Sequence, residues 1–179
     1  LLTELQKLKI DHIDTLVMTH AHADHIGKAD KVIAQYGVKE LVYNGIPSTS
    51  KYFINALKAA KANGTQQVKV KAGDVLDFGN GVSFEIISPS QSLIDEDTAA
   101  IKAKKKVDVN NESVVGRLTF GNFAMLFTGD AEGPVEKDMA ASYGKKLKCQ
   151  VLKAGHHGSK TSSTAEFLKL VQPESVVMS

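Results

Sequence analysis

The chain has 179 residues, 42% of them hydrophobic, enough for one domain with a sizeable core. With 22 Lys plus Arg against 20 Asp plus Glu, the net charge of +2 does not select nucleic acid as a partner, and only local clusters can do so. The one cysteine, Cys149, excludes an internal disulfide, and no apolar run reaches the ~20 residues that cross a bilayer.

A polar, helix-like stretch opens the chain at Leu1, and no signal peptide is visible. Residues 14–19 read as a buried strand with Leu16, Val17 and Met18 in a row. Residues 27–36 read as a helix ended by Gly37, and residues 38–43 as a short strand. Phe53, Ala56, Leu57 and Ala60 have helical spacing within residues 50–62, closed by Asn63-Gly64. Residues 68–88 alternate as two or three short strands around Gly73, Gly79 and Gly81. The polar stretch 89–111, with Asp95-Glu96-Asp97 and Lys104-Lys105-Lys106, is expected to be a mobile loop.

Residues 113–120 and 123–128 form a predicted hairpin turning at Gly121-Asn122. Pro134 suits the first turn of a helix running to Tyr143, and residues 148–153 read as a strand. Ser163 and Glu166 have capping-box spacing before a helix to Val171, and residues 176–178 form a last strand. No internal repeat or second domain is visible, so residues 1–179 read as a single α/β domain. The missing initiator Met and the apolar run Ser175-Val176-Val177-Met178 at the other end suggest a fragment of a longer protein.

Of six histidines, five fall in two groups, His20, His22, His25 and His156, His157, and clustering favours metal ligation over structural use. The first group lies in Thr19-His20-Ala21-His22-Ala23-Asp24-His25-Ile26-Gly27, directly after an apolar strand and before a helix. His20 and His22 are two apart, so in extended chain their rings point the same way. Asp24 and His25 follow the turn, and imidazole with carboxylate suits Zn, Mn or Fe. Asp130, in Leu126-Phe127-Thr128-Gly129-Asp130, sits just past a buried strand, where a carboxylate is costly without a partner. Alone it reads equally well as a helix cap; beside the histidine group, ligation is the better reading.

In Lys153-Ala154-Gly155-His156-His157-Gly158-Ser159 a strand again leads into a small-residue turn carrying histidines. Adjacent histidines seldom bind one metal, so His156 is favoured as the ligand and His157 is kept for substrate or for orienting a ligand. Residues 159–163 are hydroxyl-rich and include Lys160, which fits an anion site or a helix lead-in equally. His12 reads as a surface residue and Cys149 as core rather than nucleophile.

The stretch His20 to His25 resembles the His-x-His-x-Asp-His motif of the metallo-β-lactamase superfamily, and Asp130 resembles its bridging aspartate. More specifically, Asn110-Asn111-Glu112-Ser113-Val114-Val115, Phe127-Thr128-Gly129-Asp130-Ala131-Glu132 and Gly155-His156-His157-Gly158-Ser159-Lys160-Thr161-Ser162-Ser163 resemble the soluble metallo-β-lactamase domain of ComEC competence proteins and their free-standing relatives. The resemblance implies an αββα sandwich. Only about one helix precedes the motif here, so the N-terminal strands of that fold are expected upstream or on another chain. No histidine lies between His25 and Asp130, where many members carry a ligand, so the histidine pair is expected to take over that role and the ion count is one or two.

By the same resemblance His20 and His22 would hold one metal, Asp24 and His25 the other, with Asp130 between them. Asp24 and His157 would act in catalysis on a Zn- or Mn-activated water. The implied function is a phosphodiesterase or nuclease of DNA uptake, with a phosphodiester, DNA included, as substrate. A membrane channel domain is implied in the intact protein, with an extracytoplasmic or membrane-associated setting. The lysines 104–106 and 145, 146 and 148 are candidate phosphate contacts, although 6% aromatic content and no Trp leave few stacking platforms. Hydrolysis of lactone, thioester or β-lactam bonds, and a non-catalytic metal-stabilised module of a DNA-uptake complex, are the alternatives.

Overall fold

A computed structural model describes residues 1–179. The chain forms two compact units, Leu1–Lys69 and Val70–Ser179.

The first unit holds helices α1 (Leu2–Lys7), α2 (Ala23–Ile26), α3 (Ala29–Tyr36) and α4 (Lys51–Ala62) and strands β1 (Thr15–Val17), β2 (Glu40–Tyr43) and β3 (Gln66–Lys69). The three strands form a parallel sheet in the order β1-β2-β3, Leu16 pairing with Leu41 and Val42 with Val68. Parallel strands need helical crossovers, which α3 and α4 supply. The central strand β2 is apolar on both faces, with Leu41 and Val42 fully buried, as expected of a strand in a covered parallel sheet. Val32, Ile33 and Tyr36 of α3 and Phe53, Ala56 and Ala60 of α4 recur at helical spacing and complete this core. Gly37 ends α3 at φ 57, a left-handed conformation that glycine adopts without Cβ strain. The helix expected over 27–36 is α3, which starts at Ala29, and a separate four-residue helix, α2, precedes it.

The second unit holds β4 (Val75–Asp77), β5 (Val82–Ser88), β6 (Val115–Phe120), β7 (Phe123–Phe127), β8 (Val151–Lys153) and β9 (Ser175–Val177), with helices α5 (Gln91–Lys102), α6 (Gly133–Tyr143) and α7 (Ala165–Val171). Its six strands follow chain order in one sheet, antiparallel from β4 to β7 and parallel from β7 to β9. The hairpin at Gly121-Asn122 closes with Phe120 opposite Phe123, as its turn residues predict. Beside it, a Cβ on Gly116 would lie 2.0 Å from the Phe84 ring, so only glycine fits under that ring. Leu126 and Leu152, with Met139, Leu147 and Phe167, form the core, each buried apolar side chain contributing about 1.5–3 kcal/mol. Cys149 is buried here and burial pushes its thiol upward, as befits a core residue.

Two local readings are corrected. Residues 91–102 form α5 rather than a mobile loop. Ser90 caps it by accepting from the Leu93 amide at 3.2 Å, and Gln91–Asp95 and Ser92–Glu96 hydrogen bonds run along its surface one turn apart. The residue before α7 that caps it is Thr164, whose hydroxyl accepts from Phe167 N–H, while Ser163 lies in a left-handed conformation at φ 56. The buried Glu136 carboxylate of α6 accepts from both Ser163 N–H (2.5 Å) and Thr164 N–H (2.8 Å), so its charge is spent on the entry to α7.

Candidate functional site

In the first unit β1 ends at Val17, Met18 is buried, and the next residues leave the sheet at its C-terminal edge. Such edges are where parallel strands deliver ligand-binding groups. His22 is extended (φ −84, ψ 150) and becomes the N-cap of α2, which places Asp24 in that helix's first turn and His25 in its last. The alternation around His20 and His22 turns both rings the same way: His20 Nε2 and His22 Nδ1 lie 3.2 Å apart. Two nitrogens held by one tetrahedral zinc at about 2.0–2.1 Å each would be separated by roughly 3.4 Å, so the spacing fits a shared cation. The His20 and His25 rings are 4.1 Å apart, and His25 Nε2 lies 3.7 Å from Asp24 Oδ2. Thr19 Oγ1 sits 3.1 Å from His20 Nδ1 and 3.4 Å from His25 Nδ1. That single hydroxyl holds both rings by their Nδ1 side and turns the Nε2 side of each away from it, the second-layer hydrogen bonding that metal-ligating histidines use.

In the second unit, the parallel pairing of β7 with β8 brings their C-terminal ends side by side, Phe127 opposite Lys153. The turns after these strands carry Asp130 and the histidine pair. Asp130 is 1% exposed, and its N–H donates to Ser113 Oγ at 3.0 Å. His157 Nε2 lies 3.5 Å from Asp130 Oδ2. His157 Nδ1 hydrogen-bonds the Ser179 main-chain oxygen. An oxygen of that kind only accepts, so Nδ1 carries the proton and, in the neutral ring, Nε2 turns a lone pair towards a carboxylate oxygen.

His156, the residue expected to ligate, is placed differently. Its Nδ1 bonds Glu132 Oε1 at 3.0 Å and lies 3.2 Å from Thr161 Oγ1, and the Thr161 hydroxyl donates to the same Glu132 oxygen. Asn110 Nδ2 also donates to it, at 3.2 Å. Both histidines have left-handed backbones, φ 46 and 56, a strained turn held by this network. His12 is exposed and bonded to Asp11, whose proximity raises its pKa; it lies with Asp11 and Asp14 rather than with the other histidines.

Glu112 is 3% exposed. Burial, with Asp97 and Asp108 adding their charge, pushes its carboxyl from 4.5 up to about 8. In the folded chain it therefore keeps its proton at neutral pH, whereas unfolding releases it. Stability from this group is complete below the unfolded value, falls as pH rises, and is gone above about 8. Glu112→Gln, an imitation of the protonated form, is expected to leave stability unchanged near pH ~4 and to exceed the wild type above pH ~8, as urea melts across that range would read.

The profile described as metallo-beta-lactamase superfamily matches residues 2–179. The chain belongs to that superfamily. It is similar to ComE operon protein 3 of Bacillus subtilis (strain 168), at 34% identity over 171 residues covering 95% of this chain and 20% of that protein. It is also similar to competence protein ComA of Neisseria gonorrhoeae, at 31% identity over 170 residues, again 95% of this chain and 20% of the relative. The metallo-β-lactamase chain thus spans 20% of the length of each of these curated relatives. Among solved structures, Igni18, described as a novel metallo hydrolase from Ignicoccus hospitalis, matches with TM-score 0.51 at 18% identity over 91% of this chain and 61% of that one, a likeness of fold. No helix of the chain is long and apolar enough to cross a membrane. As a superfamily member with this donor set, the chain carries groups suited to a divalent metal.

Three residues around the candidate ligands escaped the sequence reading as actors: Thr19, Glu132 and Lys153. Each lies inside a quoted motif, yet nothing in residue type announces which neighbouring side chain it touches: Thr19 meets His20 and His25, Glu132 meets His156, and Lys153 meets Asp130.

Proposed function

We propose that this chain is a metal-dependent hydrolase of the phosphodiesterase or nuclease type. The observation that carries the reading is the 3.2 Å approach of His20 Nε2 to His22 Nδ1, two nitrogens turned to one point by an extended backbone. In the first unit His20 and His22 would hold one cation position and Asp24 and His25 a second, and in the second unit Asp130 is the carboxylate we assign as a metal ligand. His157 rather than His156 belongs on the cation side; what supports this is the Asp130 carboxylate facing His157 Nε2, while His156 is engaged with Glu132. A divalent cation bound by these residues, zinc or manganese, one ion or two, would supply a water with pKa lowered toward ~7 and a Lewis acid for the attacked oxygen. Asp24, at the mouth of α2 with its side chain 61% exposed, orients that water and takes its proton.

Similarity to competence proteins supports a phosphodiester substrate, DNA included, and an extracytoplasmic or membrane-associated setting beside a membrane channel domain. The lysines 104–106 and 145, 146 and 148 are the phosphate contacts this reading would use. The test is turnover of a nitrophenyl phosphodiester, supercoiled DNA and nitrocefin, each with zinc and with manganese. Cleavage of the first two without the third is expected. Nitrocefin turnover alone would point to a different bond class, and bound metal with no turnover to a non-catalytic module.

A further inference from the structure

We infer that Lys153 is a positioning residue, tying the turn that carries Asp130 to the turn that carries His157 so that Asp130 offers its Oδ2 oxygen to the cation. The inference rests on the reading of Asp130 as a metal ligand. Lys153 ends β8 with a side chain only 13% exposed. Its Nζ donates to Gly129 O at 3.0 Å and lies 3.7 Å from Asp130 Oδ1. The longer distance is an ion pair and not a hydrogen bond, so the directed contact is the one to the Gly129 carbonyl. Two further bonds latch the same turns: Thr128 Oγ1 donates to Lys153 O at 2.7 Å, and His156 N–H donates to Gly129 O at 3.2 Å. Gly129 is left-handed, φ 53, so its carbonyl points back towards β8 and receives both donors. The two oxygens of Asp130 are thereby told apart: Oδ1 lies on the Lys153 side and Oδ2 on the His157 side.

A largely buried ammonium beside a cation site is an odd choice on charge alone. As a plain counter-charge it would repel a bound dication, and its removal would tighten metal binding. As a positioning group it would fix the ligand's direction, and its removal would loosen binding. The sign of the effect separates the two.

Calorimetric titration of the full chain with Zn(II) and Mn(II), with Lys153→Met, Lys153→Arg and Asp130→Asn in parallel, reads that sign. Lys153→Met is expected to weaken metal binding about 10- to 100-fold, the range for partners of ligating groups. Lys153→Arg, which keeps charge and donor, is expected to recover most of the affinity. The visible spectrum of the cobalt(II)-loaded protein is expected to change in the Met variant and to return toward wild type in the Arg variant. A merely structural role would lower the melting temperature of the metal-free protein without altering the spectrum. Unchanged or tighter binding by Lys153→Met, with Asp130→Asn weakened, overturns the inference alone. Wild-type affinity in Asp130→Asn overturns the metal-ligand reading, and this inference with it. Should Lys153→Met not fold, Lys153→Gln, shorter and neutral, carries the same expectation of weaker binding and the same reversal.

Discussion

Asp24→Asn is expected to lower phosphodiester turnover by about 10²–10⁴-fold while the chain stays folded. The carboxylate lies at the start of a helix of four residues, exposed and outside the core, so its removal leaves no buried cavity. Asparagine keeps the shape of the side chain and one acceptor oxygen but cannot take a proton from water. The loss should therefore fall on kcat at saturating metal, with the melting temperature of the metal-free protein unchanged. Steady-state kinetics over a range of metal concentrations separates this from weakened metal affinity, which added zinc or manganese would relieve. Unaltered turnover in Asp24→Asn would remove Asp24 from the proton-transfer role.

The second large effect is on stability. Glu136→Ala removes a buried carboxylate that accepts two backbone N–H groups at the entry to α7. Each such charge-assisted bond contributes about 1.5–3 kcal/mol, and the stranded donors carry a further desolvation cost. A loss of about 3 kcal/mol or more is expected, which for a chain of this size lowers the melting temperature by roughly 6–12 °C. Glu136→Gln, with one acceptor oxygen retained, should recover part of it. Thermal melts of the three proteins check the order.

The histidine group was legible in sequence because its information is local. Spacing of two in an extended chain determines that the rings of His20 and His22 share a side, and an apolar run just before them marks a strand end. The same holds for the hairpin at Gly121-Asn122 and for Pro134 at the start of α6, where the residue types themselves impose the backbone. Helix α5 was missed because its stripe of Leu93, Ile94 and Ile101 is thin and its charges resemble those of a solvated loop. Its cap, Ser90, was the overlooked signal. The choice between His156 and His157 was not legible, since both have the same chemistry and neighbouring positions. What sets the two apart in the fold is the contact of His156 with Glu132, a partner 24 residues away. The roles of Thr19 and Lys153 were hidden for a related reason: each depends on which atom of a ring or carboxylate faces which way. Glu112 was quoted as part of a motif, but its burial, and hence its retained proton, follows from packing that no local pattern carries.

The mixed pairing of the strands also orders the folding reaction. The hairpin joining Phe120 to Phe123 closes a short loop and can zip within microseconds. The parallel ladders join Thr15 to Glu40, Glu40 to Gln66 and Met125 to Val151, each across an intervening helix, and must meet the entropy of a long excursion before any rung repays it. The turns bearing His20, Asp130 and His157 hang from those late ladders. In a nascent chain the imidazoles of His20 and His22 would therefore take their places only once β1 has paired with β2, and Asp130 and His157 only once β7 has paired with β8, so cations supplied early would meet loose, competing ligands and retard assembly.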